Sequence, residues 1–107
     1  MTTFGDRGRA FEDKYAHDEQ LEFKARVKRD HLFGAWIADE IGMQGITRDT
    51  FIREYAAMDL TKPGDHSILD KAYGALVSHR KEVSMHRLEG RLAELMVEAR
   101  MIVVSEA

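Results

Sequence analysis

The sequence predicts an all-α protein, a four-helix bundle over residues 18–107 preceded by an amino-terminal arm over residues 1–17. Three observations carry this. Large apolar side chains recur at spacings of three and four, the repeat of a helix face. No stretch of convincing length alternates apolar and polar residues as a half-buried strand does. The chain has a single proline, Pro63, and glycines stand where the apolar pattern breaks.

The first helix is expected from about Asp18 to Gly42, with Phe23, Val27, Ile37 and Ile41 on one line and Gly34 between them. From Leu32 onward the apolar arc widens, through Phe33, Ala35, Trp36, Ile37 and Ala38, as it does on a central helix. The front half carries Lys24, Arg26, Lys28 and Arg29 and is expected to be more exposed. Trp36 reads as core packing. Gly34 beside it permits a close helix approach or leaves room for a neighbouring ring. Gly42 and Gly45 end the helix, since glycine takes the left-handed terminal position at little cost.

A second helix starts with Thr47 as N-cap and Asp49 in its first turn, where a carboxylate meets free N–H groups. Its inner stripe is Phe51, Ile52, Tyr55, Ala56 and Met58, and Thr61-Lys62-Pro63-Gly64 stops it. Asp65 is placed to cap the third helix, with Ser67 as a rival. Ile68, Leu69, Ala72, Tyr73, Leu76 and Val77 form its stripe, and it frays from His79 to Glu82. Ser84 caps the fourth helix. There Leu88, Leu92, Leu95, Ala99 and Ile102 recur at bundle spacing, flanked by Met85, Met96 and Val103.

Composition narrows the function. With Lys+Arg 16 against Asp+Glu 19, the net charge is −3, so the basic field of a sequence-independent nucleic-acid binder is absent. The absence of cysteine removes disulfides, thiolate metal sites and cysteine nucleophiles. No apolar run approaches the roughly 18–20 residues of a membrane span, and the amino terminus lacks the apolar core of a secretory signal. A soluble, cytoplasmic chain is expected.

The arm is the most informative segment. Its anchors Phe4, Phe11 and Tyr15 fall on one narrow helical line, at i, i+7 and i+11, with charges of both signs between them. Burying three aromatics is worth roughly 1.5–3 kcal/mol each. Fixing each backbone residue costs about 1–2 kcal/mol, over about twenty residues. The arm is therefore expected to be loose in the free protein and to order on a surface that adds contacts. A tail without a role has no need of that aromatic register.

Other constellations are less specific. His17, His31, His66, His79 and His86 include no pair at i, i+3 or i, i+4. His66 with Asp70 and Glu82 with His86 are mixed pairs at that spacing, and surface or capping roles suit these histidines. No carboxylate pair is marked out for acid–base work, and no glycine sits in a phosphate loop. The chain does not read as an enzyme or as a metal protein. The basic run Lys24, Arg26, Lys28, Arg29, followed by His31, is either a solvated face or a seat for an acidic partner or a phosphate.

A family resemblance emerges from the ordered series. Met1-Thr2-Thr3-Phe4, Asp6-Arg7, Ala10-Phe11-Glu12, Lys14-Tyr15-Ala16-His17-Asp18 and Leu21 with Phe23-Lys24-Ala25 resemble the zeta subunit of F-type ATP synthases, the ATPase inhibitor of alphaproteobacterial enzymes. The likeness continues through Leu32, Gly34, Trp36, Ala38, Gly42, Gly45 and Asp59, then Pro63-Gly64-Asp65, Ser84, His86, Leu88 and Glu94-Leu95. It implies a monomeric four-helix bundle whose amino-terminal helix enters an interface between a catalytic and a non-catalytic subunit of the ATPase head, near the central rotor. Hydrolysis is blocked there while synthesis proceeds. The protein would be cytoplasmic and held at the inner membrane only through the synthase. Phe4, Phe11 and Tyr15 would be the anchors, and Asp6, Arg7, Glu12 and Lys14 would set register by charge pairing. The resemblance implies no resident cofactor, although adenine-nucleotide (ATP or ADP) binding belongs to the family; the sequence offers no site for it.

The family commonly has acidic residues where Gly5 and Gly8 stand. Glycine costs a helix interior about 0.8–1 kcal/mol relative to alanine, so a weaker arm is expected. Met85 likewise replaces an acidic residue. Two alternatives stay open: an adenine-nucleotide-binding bundle, and an adaptor with weakened or lost inhibition.

Overall fold

The computed structural model describes residues 4–62 and 64–106, with side chains from His17 onward. Four helices follow one another: α1 (Phe4–Glu40), α2 (Gly45–Thr61), α3 (Asp65–Ser78) and α4 (Met85–Glu106). The chain is an all-α bundle. α1 is its hub, packing most extensively on α4 and α2 and more lightly on α3. α4 runs antiparallel to α1, with Arg100 meeting Glu22 and Arg91 meeting Trp36.

α1 is continuous through the boundary expected at residues 17/18. Its buried positions, among the described side chains, are Ala25, Arg29, Asp30, Phe33, Gly34, Ile37 and Ala38. The back half matches the expected apolar arc. The front half does not: Phe23 is 55 % exposed, while Arg29, expected on the open face, is only 6 % exposed. Ala25 packs with Ala99 and Val103 of α4 instead, because two small side chains let the helices approach closely. That contact turns the Phe23–Val27 line outward. Gly34 plays both roles expected of it: a Cβ there would stand 2.9 Å from the Tyr55 ring and 3.2 Å from the Ile52 Cα.

α1 ends where expected. Gly42 is left-handed, with φ 77°; its N–H donates to the Asp39 carbonyl at 3.2 Å and that of Met43 to the Ala38 carbonyl at 2.9 Å. This is the Schellman arrangement. α2 then starts at once, after an extended Gln44 that makes no side-chain cap. Thr47 therefore falls inside the first turn and Asp49 beyond it. Gly64, not Asp65, is the N-cap residue of α3, and Asp65 sits in the first turn with its carboxylate drawn to Arg29. The α2 helix stops at Thr61, and Lys62, at φ −133° and ψ 85°, has left the helical region that the residue before a proline avoids; Pro63 itself lies outside the described residues.

The core gathers Phe33, Ile37, Tyr55, Ile68, Leu69, Ala72, Leu76, Leu88, Leu92 and Leu95. Phe51 and Met58 of the expected α2 stripe are half-buried against it. Tyr73 and Val77 are exposed, against expectation: the face of α3 that is buried is Ile68, Leu69, Ala72 and Leu76. In α4 the inner position at the end of the stripe goes to Val103, with Ile102 half-buried. Ser84 caps α4 as expected: its Oγ accepts the Arg87 N–H at 3.1 Å.

Candidate functional site: the amino-terminal helix and its anchor

Phe4, Asp6, Arg7, Phe11, Glu12, Lys14 and Tyr15 all fall on the first turns of α1. Their side chains lie outside the described residues. The described structure shows how the helix that carries them is fastened. Among the described side chains Leu21 is the first to pack on the bundle, against the Ala25–Ala99–Val103 cluster. At the next residue, Arg100 grips both oxygens of Glu22, at 2.6 to 3.2 Å. These hydrogen bonds hold the Glu22 carboxyl below its ordinary range. The pair is half-exposed and screened by water, so it sets geometry more than stability.

The firmest anchor is polar. Arg26 donates from Nε to Asp59 Oδ2 at 2.6 Å and from Nη2 to Oδ1 at 3.0 Å. Arg29 donates to Asp30 Oδ1 from Nε and Nη2, at 3.1 and 2.9 Å, and from Nη2 to Asp65 Oδ1 at 2.9 Å. These bonds tie α1 to the end of α2 and the start of α3. Burial, reinforced by hydrogen bonding with Asp59, pushes the Asp30 carboxyl up to about 7. Burial also works against ionisation of Asp59, but hydrogen bonds from Arg26 and Asp30 outweigh it and hold that carboxyl below its usual range.

The basic run thus divides. Arg26 and Arg29 turn inward to aspartates. Lys24, Lys28 and His31 line an open groove of about 450 Å³ with Phe23, Val27 and Val103. Sequence reading missed the inward pair. A signal was present: Arg26, Asp30, Phe33 and Ile37 follow one another at +4, +3 and +4, so the polar pair continues the buried line. A reading that follows only apolar residues along a face skips it.

The remaining expected pairs are placed plainly. His66 and Asp70 meet at 3.1 Å, on the open surface. Among the described residues no group of three or more His, Asp or Glu side chains converges as a metal site requires. Among the same residues no helix is long and apolar enough to cross a membrane.

None of the curated proteins compared with the chain matches it. A sequence model of one family does, described as ATPase inhibitor subunit zeta, and the match covers residues 1–101. It therefore takes in the arm, all of α1, α2 and α3, and most of α4. On that match the chain belongs to the ATPase inhibitor subunit zeta family.

Proposed function

We propose that the chain restrains ATP hydrolysis by an F-type ATP synthase, and that the first turns of α1 are the part inserted at a catalytic subunit interface. The observation that supports this reading is the family match joined to a helix that starts at Phe4 and whose described packing on the bundle starts at Leu21. A wedge of this kind does no chemistry. Phe4, Phe11 and Tyr15 fill apolar pockets of the partner, where buried aromatics carry most binding energy. Asp6, Arg7, Glu12 and Lys14 fix the register through opposite charges. The interface is then kept from changing shape during the hydrolytic cycle. The test is ATP turnover by the cognate head with the full chain and with a chain starting at Asp18. Inhibition by the full chain alone is expected; equal turnover with both, and with neither, removes the proposal.

The groove supports a second reading, an adenine nucleotide bound beside α1. Phe23 offers a ring for the base, and Lys24, Lys28 and His31 offer cations for phosphate. Glu106, whose carboxylate is 4.0 Å from Lys28 Nζ, works against it. Amide shifts during ATP titration should map to this groove. Their absence at millimolar ATP discards the reading.

A further inference from the structure

Five charged side chains from three helices meet where the corner between α2 and α3 lies against α1. Arg26, Arg29 and Asp30 come from α1, Asp59 from the end of α2 and Asp65 from the first turn of α3. With every carboxyl ionised, three negative charges face two guanidiniums. With one proton on Asp30 the cluster balances. The geometry favours that proton. Asp30 is fully buried, and its Oδ1 takes both bonds from Arg29. Its Oδ2 is buried with no donor. An ionised oxygen so placed loses its hydration without replacement. Carrying a proton, the Asp30 carboxyl is a donor, and hydrogen bonding with Asp59 favours that form. From α4, Glu89 and Arg100 line the adjacent hollow beside Arg29 and Asp65, and Arg100 is held by Glu22.

We propose that this cluster is a proton-operated clasp: it fastens the α2–α3 corner to α1 while Asp30 keeps its proton and loosens as that proton leaves. The clasp stands whether or not the arm enters an ATPase. The direction follows from linkage. Asp30 is raised in the closed state from an ordinary 3.8 to about 7. Its contribution to closure is fully present below the ordinary value, is lost as pH rises toward 7, and stays lost above.

The test uses the full chain with ¹³C-labelled aspartate, each Cγ assigned through its own Cβ and followed over about pH 4 to 9. Amide exchange at Met58 to Asp65, corrected for intrinsic rates, is measured alongside. The Asp30 Cγ is expected to titrate within about one unit of 7. Protection at the corner is expected to fall by up to about tenfold per pH unit between about 5 and 7, then level off. Asp30→Asn, which cannot ionise, should leave that protection flat. Titration of Asp30 below about pH 5 overturns the clasp, as does protection that does not change across its midpoint. Both readings come from the unsubstituted chain, so the test stands even if Asp30→Asn fails to fold.

Discussion

Tyr55 shows how one residue can be well packed and badly solvated at once. Its ring meets Phe33 edge-on at 6.0 Å and Phe51 at 5.2 Å, and no part of it reaches solvent. Its hydroxyl is buried with no partner, and burial raises its ionisation well above the ordinary phenol range. Tyr55→Phe removes the unpaired group and keeps the ring. It should raise unfolding free energy by about 1 kcal/mol, read as a higher urea midpoint at unchanged slope. Gly34 predicts the opposite. A methyl group there meets the Tyr55 ring, which can tilt, and the Ile52 backbone, which cannot. Gly34→Ala should cost about 1–3 kcal/mol in the same measurement. The role of Gly34 was legible in the sequence because a glycine amid large apolar residues has few other uses. Asp59 was not legible as a buried group. Its partner Arg26 is 33 positions away, and a lone aspartate at a helix end reads as solvated.

At the scale of the element, helix ends were legible where the chemistry is local. Gly42 and Ser84 each act through bonds to their own helix or turn. Thr47 and Asp65 were misread because a neighbouring turn or a distant arginine decided their position. The end of α3 adds a case with the wrong residue in the right shape. Arg80 sits at φ 59°; its N–H reaches the Val77 carbonyl at 3.0 Å and that of Lys81 the Leu76 carbonyl at 2.9 Å. This is the same closing motif that Gly42 makes, built on a side chain that dislikes it. The left-handed conformation costs an L-residue about 1–2 kcal/mol. Arg80→Gly should recover part of that, about 0.5–1 kcal/mol after the added freedom of the unfolded chain. Thermal unfolding followed by circular dichroism reads it as a rise in Tm; a fall would mean that the Arg80 side chain holds the turn.

For the whole molecule, the fold class and the family were legible in the sequence: the first from periodicity, the second from an ordered series of residues spread over nearly the full chain. The anchor of α1 was not, because it depends on three helices meeting. The proposed inhibition turns on the first two turns of that helix, where Gly5 and Gly8 stand. Each costs helix formation about 0.8–1 kcal/mol relative to alanine. Replacing both with Glu should strengthen inhibition of the cognate ATPase by about tenfold or more, read as a lower half-inhibitory concentration. No gain would mean that helix continuity there is not what sets the grip. The unbroken run of α1 has a further consequence. A single helix has a fixed angular phase, about 100° per residue. One residue inserted near Leu21 would leave arm and bundle each intact in composition. It would nonetheless turn the line Phe4, Phe11 and Tyr15 by about 100° around the shaft relative to the bundle. Four inserted residues would bring it back to within about 40° of its original bearing. The spacing between arm and core is thus a coded angle as much as a length, and it sets the bearing of one surface against the other.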